Sequence, residues 1–305
     1  MTQNIKQMQR RGYSGVIGWC GLGAMGSAMA PHLMAVTDSL LGFDVNPKVW
    51  QTGLLSSALQ RAQKLTDLAQ ADMLITMLPD GTAVRSICET ILCAGFSGTI
   101  IDMSSCHPRD SRILADNITA SGSCFVDAPV SGGVAKAANA ELMIMAGGKD
   151  GDFRKVQAIL NTMGNVRHVG PTGAGHAMKA LNNYVSATGL LASFQALATA
   201  EAAGISPETF VKVINSSTGR NNTTEVKLEK FVLTKTFNSG FALQLMAKDV
   251  NIARELIEEA GYSAPATPAL AEYLDAAVSA LGQKADHTAL YSYLTDNLDN
   301  EDFNR

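Results

Sequence analysis

The amino-acid sequence predicts an α/β domain built on a doubly wound parallel sheet, followed by an all-α domain. Two observations lead to this fold class. Short apolar runs alternate with helically spaced segments through the first half of the 305-residue chain, which is the pattern of consecutive βαβ units. After Gly170-Pro171 the alternation stops, and the later segments have helical spacing with no convincing alternating strand.

The expected strands are apolar runs bounded by turn residues, at 15–20, 40–45, 73–78, 99–103, 124–127, 142–146 and 166–169. Helical spacing separates several of them, most clearly at 25–34, 81–92 and 110–120. In the second half we expect a long helix over 175–203, ended by Gly204, and others near 207–215, 224–233, 243–259, 268–281 and 288–297. We therefore predict a flexible tail at 1–13, an α/β domain at 14–172 and a helical domain at 173–305.

Composition limits the kinds of partner. The net charge of −4 argues against nucleic acid or an anionic membrane surface. The five cysteines are odd in number and show no zinc-ligand spacing, so we expect core residues of a reducing, cytoplasmic compartment and no metal. The polar, basic start lacks the apolar core of a secretory signal. Residues 180–200 carry no charge, but several polar side chains interrupt them, which favours a buried helix over a membrane span.

A glycine-rich turn joins the first expected strand to the first expected helix. Its residues are Gly21, Leu22, Gly23, Ala24, Met25 and Gly26. The first glycine permits a tight turn, the second lets backbone approach a pyrophosphate, and the third lets the helix pack on the strand. This position predicts a Rossmann-type dinucleotide-binding loop, with a merely tight turn as the alternative.

Asp44 ends the second expected strand, 23 residues after Gly21. A carboxylate there can bind the ribose hydroxyls and would repel the 2′-phosphate of NADP. Val45 follows it, and neither position is an arginine that could bind a phosphate. We therefore expect NAD rather than NADP. An Asx turn leading into Asn46 is a second role that Asp44 could have at the same time.

Further motifs extend the pattern along nearly the whole chain. They are Met29-Ala30, Met77-Leu-Pro79, Asp102-Met-Ser-Ser105, Asp127-Ala-Pro-Val-Ser-Gly-Gly133, Gly175-His-Ala-Met-Lys179-Ala-Leu-Asn-Asn183 and Lys248-Asp249. Together with the glycine turn, the sequence resembles the β-hydroxyacid dehydrogenase family, which includes 3-hydroxyisobutyrate dehydrogenase and tartronate semialdehyde reductase. The resemblance implies an oxidoreductase that transfers a hydride between NAD(H) and the CH–OH group of a small 3-hydroxy acid or its semialdehyde. It also implies a helical domain like that of 6-phosphogluconate dehydrogenase and a homodimer or homotetramer.

The resemblance also implies cofactor contacts outside the glycine turn. Leu78, Pro79 and Ser105 match positions along the nicotinamide half of the cofactor, and Val45 lies beside Asp44. Lys248 matches a residue that closes over cofactor and substrate from the helical domain.

Lys179 matches the catalytic lysine of the family. A partly buried amine can exchange a proton near neutrality, which hydride transfer from an alcohol requires. Its charge is isolated on an apolar helix, which argues against an ordinary solvated lysine. Asn183 lies four residues later on the same helix face, where its amide can bind the substrate hydroxyl or, alternatively, neighbouring backbone.

Ser131, Gly132 and Gly133 follow an expected strand end, where ligands bind open α/β sheets. Converging backbone amides and the serine hydroxyl could bind a substrate carboxylate, whereas the alternative is a plain glycine turn. Phe241 and Asp249 match family positions near the substrate, and Asp249 could orient Lys248.

Several alternatives stay open. Within the family, a semialdehyde reductase or a threonate-type dehydrogenase would have the same motifs. An imine reductase and a non-catalytic dinucleotide-binding protein are disfavoured because such relatives have lost the lysine found here as Lys179. His107 departs from the usual family residue, and a simple loop role is the preferred interpretation for it.

Overall fold

The computed structural model describes residues 13–37, 39–51, 55 and 59–296. The chain forms two compact units, Met1–Lys179 and Ala180–Arg305. Apart from Tyr13, which forms a β-bridge with Thr37, the predicted tail lies outside the described residues, as does the predicted helix end at residue 297.

A single sheet organises the first unit. Its strands are β1 (Ile17–Cys20), β2 (Leu40–Phe43), β3 (Leu59–Arg61), β4 (Met73–Thr76), β5 (Thr99–Asp102), β6 (Cys124–Asp127), β7 (Val130–Ser131), β8 (Leu142–Gly147) and β9 (Gly164–Gly170). The order is β3-β2-β1-β4-β5-β6-β8-β7, with β9 pairing β8. Strands β1 to β6 pair in parallel, whereas β8 runs antiparallel to β6 and β7. The predicted parallel sheet is confirmed, with an antiparallel addition at one edge.

Both faces of this sheet are covered. Ile17 and Trp19 of β1 and Ile75 of β4 belong to one buried cluster, whereas Cys20 and Leu74 from the same two strands belong to another. Successive residues of a strand point to opposite faces, so the two clusters are the two cores of a doubly wound sheet. The helices are α1 (Ala24–Met29), α2 (Gly81–Cys93), α3 (Pro108–Ala120), α4 (Gly133–Ala138) and α5 (Asp150–Leu160).

The second unit is helical, as predicted. The long helix α6 (Ala174–Ala202) leads into it, and α7 (Pro207–Asn215), α8 (Leu243–Glu259), α9 (Ala266–Leu281) and α10 (Leu290–Asp296) follow. The expected helix near 224–233 is a π-helix, Thr223–Val232, whose wider turn apolar spacing does not distinguish from an α-helix.

Helix α6 differs from the expectation of a buried helix. Its Ala187, Leu190 and Phe194 pack in the core of the second unit, but Val185 is 68% exposed. The core of the second unit therefore covers only part of the circumference of α6. Within the described ranges, no helix combines the length and apolarity needed to cross a membrane.

Candidate active site

The glycine turn has the geometry that a phosphate loop requires. Gly21 lies at φ +97°, where a side chain would be strained, and a Cβ there would come within 2.3 Å of the Met77 carbonyl oxygen. A Cβ on Gly26 would lie 2.0 Å from the Gly21 carbonyl oxygen, so the helix packs as closely as a third glycine allows. Among the described atoms, nothing lies within 4 Å of a Cβ placed on Gly23, which leaves room for a ligand.

The carboxylate of Asp44 holds the glycine turn. One oxygen accepts a hydrogen bond from the Leu22 amide at 2.6 Å, and the other accepts one from the Asn46 amide at 2.7 Å. The second bond is the Asx turn considered above, so Asp44 has a structural role whether or not it binds ribose. Val45 is 84% exposed beside it.

The carboxyl ends of β4 and β5 are tied together by side chains. The Leu78 amide donates to the Ser104 hydroxyl at 2.9 Å, while the Thr76 hydroxyl and the Ser104 amide both donate to Asp102. Leu78 and Ser105 are half-buried and Pro79 is exposed. These residues thus follow neighbouring parallel strands at the edge where open α/β sheets bind ligands.

The Ser131-Gly132-Gly133 segment has two successive left-handed residues. Gly132 and Gly133 lie at φ +142° and +70°, and both are exposed at the start of α4. Ser131 pairs with Met143 in the short antiparallel ladder of β7 and β8. The positive φ values explain why both positions are glycine.

A buried network not recognised in the sequence fixes the start of α6. Asp127 accepts hydrogen bonds from the Gly173 amide at 2.8 Å and the His176 amide at 3.0 Å. Burial raises the pKa of the Asp127 carboxyl above its usual range, although the nearby His176 and the amide donors partly offset this. Since His176 precedes Lys179 by three residues, this network fixes the first turn of the helix that carries Lys179.

His176 also belongs to a buried cluster with Asp102 and Cys106. The Cys106 thiol donates to Asp102 at 3.3 Å, and the His176 ring pairs with the Ser111 hydroxyl at 2.7 Å and the Ser104 carbonyl at 3.2 Å. These three side chains are of metal-ligating type and their donor atoms lie within 4.8 Å of one another. The hydrogen bonds account for their burial, so a metal ion is not needed to explain the cluster.

His107, which we expected to be a loop residue, caps α3 by accepting from the Arg109 amide.

Lys179 and Asn183 lie one turn apart on α6. Lys179 is half-buried and Asn183 is 6% exposed. The Asn183 amide nitrogen donates to Asp249 of α8 at 2.5 Å, and its oxygen accepts from Asn182 at 3.0 Å. The buried carboxylate of Asp249 therefore orients Asn183, a contact that the sequence did not predict. Phe241 precedes α8 and is half-buried.

These features define a class of protein: an α/β oxidoreductase with a dinucleotide loop and a lysine–asparagine pair on the helix that leaves the α/β unit. Family models agree. Residues 16–172 match the NAD binding domain of 6-phosphogluconate dehydrogenase, and residues 173–294 match the NAD-binding domain of NADP-dependent 3-hydroxyisobutyrate dehydrogenase.

Individual relatives are similar over most of their length. The 2-(hydroxymethyl)glutarate dehydrogenase of Eubacterium barkeri is 35% identical over 82% of this chain and 85% of its own. The mitochondrial 3-hydroxyisobutyrate dehydrogenase of Drosophila melanogaster is 33% identical over 82% of this chain and 80% of its own. The solved 3-hydroxyisobutyrate dehydrogenase of Mycobacterium tuberculosis with L-serine is 30% identical, covers 92% of this chain and 99% of its own, and superposes with a TM-score of 0.84. The chain belongs to the β-hydroxyacid dehydrogenase family, and it is an oxidoreductase that acts on CH–OH groups with a nicotinamide dinucleotide.

Proposed function

We propose that the protein transfers a hydride between NAD(H) and a small 3-hydroxy acid or its semialdehyde, with Lys179 as the general acid and base. The observation that carries this proposal is the pair on α6: a half-buried lysine one turn before an asparagine whose amide is already oriented by Asp249. The cofactor would supply or accept the hydride, and the protein has to bind the substrate, orient it and move one proton.

Each proposed role follows from the chemistry of the side chain. The Lys179 amine takes the hydroxyl proton during oxidation and returns it during reduction. The Asn183 amide nitrogen carries two hydrogens, so after the bond to Asp249 it can still donate one to the substrate oxygen. Ser131, Gly132 and Gly133 would hold the substrate carboxylate. Phe241 would contact the carbon chain of the substrate. Lys248 would bind anionic groups of the cofactor and of the substrate.

We propose NAD as the cofactor because Asp44 places a negative charge at the end of β2. The glycine turn, Asp44, Val45, Leu78, Pro79 and Ser105 would be its contacts. We assign cofactor binding to a domain at 14–172, and substrate binding and self-association to a domain at 173–305. The proposed location of the protein is the cytoplasm.

A homodimer or homotetramer is the proposed assembly. The support is the apolar face of α6, where Met178, Leu181 and Val185 are 43%, 37% and 68% exposed. Contiguous exposed apolar residues on one helix are typical of a surface that another chain covers.

The test follows reduced-nicotinamide absorbance with NAD and, separately, with NADP. The substrates are 3-hydroxyisobutyrate, 3-hydroxypropionate, glycerate, threonate and 4-hydroxybutyrate, with tartronate and succinic semialdehydes in the reverse direction. We expect turnover with NAD on at least one of them and a loss of about a hundredfold or more in kcat for Lys179→Ala, the scale of general acid–base catalysis.

The matched control is Lys212→Ala, which removes an exposed lysine from α7 and should leave kcat unchanged. Turnover that survives in Lys179→Ala would contradict the role of this lysine. Tight NAD binding without turnover on the whole panel would contradict the proposed substrate class and favour a non-catalytic role.

A further inference from the structure

The segment that carries Phe241 is held by a second segment of the same unit. Ala242 forms an antiparallel bridge with Asp286, and the Leu243 amide donates to the Ala285 carbonyl at 2.8 Å. The backbone of residues 241–243 therefore pairs with that of residues 285–287.

Asp286 is the centre of this pairing, and its side chain is only 10% exposed. One carboxylate oxygen accepts hydrogen bonds from the Gly240 amide at 2.7 Å and the Phe241 amide at 3.2 Å. The other accepts from the Thr288 amide at 2.9 Å and from the Thr288 hydroxyl. The Ser239 hydroxyl lies 2.9 and 3.1 Å from the two oxygens.

An ionised carboxylate is the side chain that suits these donors, because it accepts at every position. Its two oxygens offer about four lone-pair positions, so the donors share them, whereas an asparagine of the same shape replaces one acceptor by a donor. Burial raises the pKa of Asp286, but the hydrogen bonds from Thr288 and Ser239 and the nearby His287 outweigh it, so the pKa is lowered.

The carbonyl of Phe241 is held from the same side. It accepts from the His287 amide at 2.9 Å and lies 3.0 Å from Nδ1 of the His287 ring. The two rings also meet edge to face, with centroids 5.5 Å apart. Both backbone polar groups of Phe241 are thus fixed by two consecutive residues, which leaves its position little freedom.

We propose that Asp286 is a positioning residue for the reaction: it fixes Phe241 and the entry into α8, and it acts on substrate binding through Phe241. This inference rests on the proposed function, because Phe241 is taken to contact the substrate. In this role the Asp286 carboxylate binds residues 239–241 and Thr288 rather than the substrate.

The variant is Asp286→Asn, and the matched control is Asp275→Asn. Asp275 is also a carboxylate of this unit that accepts hydrogen bonds from a residue of α8, Asn251, at 3.2 Å. We expect Asp286→Asn to raise KM for the hydroxy acid about tenfold, to change kcat less, and to leave the dissociation constant for NAD unchanged. Asp275→Asn should keep the wild-type KM.

A double variant separates positioning from a general loss of structure. If Asp286 acts through Phe241, then adding Asp286→Asn to Phe241→Ala should change KM by less than about twofold. Hydrogen exchange of the peptide over 239–243 should also become faster in Asp286→Asn and stay unchanged in Asp275→Asn.

An active Asp286→Asn enzyme with wild-type KM would overturn the inference while leaving the proposed function intact. Equal and additive losses in the single and double variants would overturn it too, since they indicate a structural role only. If the wild-type chain turned over no hydroxy acid, the proposed function would fail. The exchange measurement would then decide whether Asp286 holds the segment: unchanged exchange would contradict the inference.

Discussion

In each unit a carboxylate holds backbone near a proposed site residue, but the pKa values of the two carboxylates are shifted in opposite directions. Asp127 holds the backbone that leads to Lys179, through the amides of Gly173 and His176. Asp286 holds the backbone of Phe241 through its amide and that of Gly240. Yet the pKa of Asp127 is raised by burial, whereas that of Asp286 is lowered although it too is largely buried.

The difference lies in how deeply each carboxylate is buried and in the donors around it. Asp286 accepts hydrogen bonds from the hydroxyl groups of Ser239 and Thr288 in addition to those from amides. Together these hydrogen bonds outweigh the cost of removing its charge from water. Asp127 is completely buried, and its amide donors do not outweigh that cost. The deeper burial of Asp127 and the larger number of donors around Asp286 together account for the opposite directions of the two pKa shifts.

The largest effect is expected from Asp127→Asn. The substitution preserves shape but presents an NH2 group to one of the two backbone amides, which then lacks an acceptor in a buried position. We expect the free energy of unfolding in urea to fall by about 3 kcal/mol, the scale of a lost hydrogen bond to a charged group plus an unsatisfied donor. We also expect kcat/KM to fall, because the start of α6 moves with it.

The control for that measurement is Asp116→Asn, which changes an exposed carboxylate of α3 and should alter stability little. A loss below about 1 kcal/mol in Asp127→Asn would mean that its hydrogen bonds contribute little to stability.

A smaller effect of opposite sign is expected from Lys227→Met in the second unit. Lys227 is 9% exposed, and burial lowers its pKa to about 8, against a smaller opposing effect of Asp286. Between pH 8 and the ordinary value of 10.5 the folded chain binds fewer protons than the unfolded chain, so this lysine makes stability rise with pH. At pH 7 the charged amine is therefore destabilising, and Lys227→Met should stabilise the chain by about 2 kcal/mol.

The gain from Lys227→Met should disappear as the pH approaches 10.5. Urea unfolding at several pH values measures it, with Lys212→Met as the exposed-lysine control. A gain that is independent of pH would point to packing of the methionine instead of the buried charge. Destabilisation at pH 7 would mean that the pairing with Asp286 outweighs desolvation.

The local pattern of apolar residues was enough to predict the parallel sheet, the alternation of strands and helices along the chain, and the helical second half. The glycine turn could be predicted because its three glycines lie within six residues and each has a geometric reason. Strand β3 and strand β7 could not, since three and two residues are too few to show a period. The π-helix at Thr223–Val232 has apolar spacing that an α-helix would also show.

The contacts that position the site residues were beyond the sequence for a different reason. Asp127 and His176 are 49 residues apart, Asn183 and Asp249 are 66 apart, and Phe241 and Asp286 are 45 apart. No periodicity connects such pairs, because folding alone brings them together. The motifs identified Lys179, Asn183 and Asp249 as candidates, but not the hydrogen bond between the last two. They did not identify Asp286 as the residue that holds Phe241.

The smallest effect concerns a third carboxylate that holds backbone, Asp44. Replacing it by asparagine and Val45 by arginine removes the charge that would repel a 2′-phosphate and supplies one that binds it. We expect KM to rise about fivefold for NAD and to fall about fivefold for NADP, ~1 kcal/mol each. Because Asp44 also accepts from the Leu22 amide, a merely loosened glycine turn would raise KM for both cofactors. Asp72→Asn, which affects a carboxylate bound to the Val16 amide before β1, should leave the ratio of the two KM values unchanged. A rise for both cofactors would therefore show that Asp44, like Asp127 and Asp286, acts mainly by holding backbone.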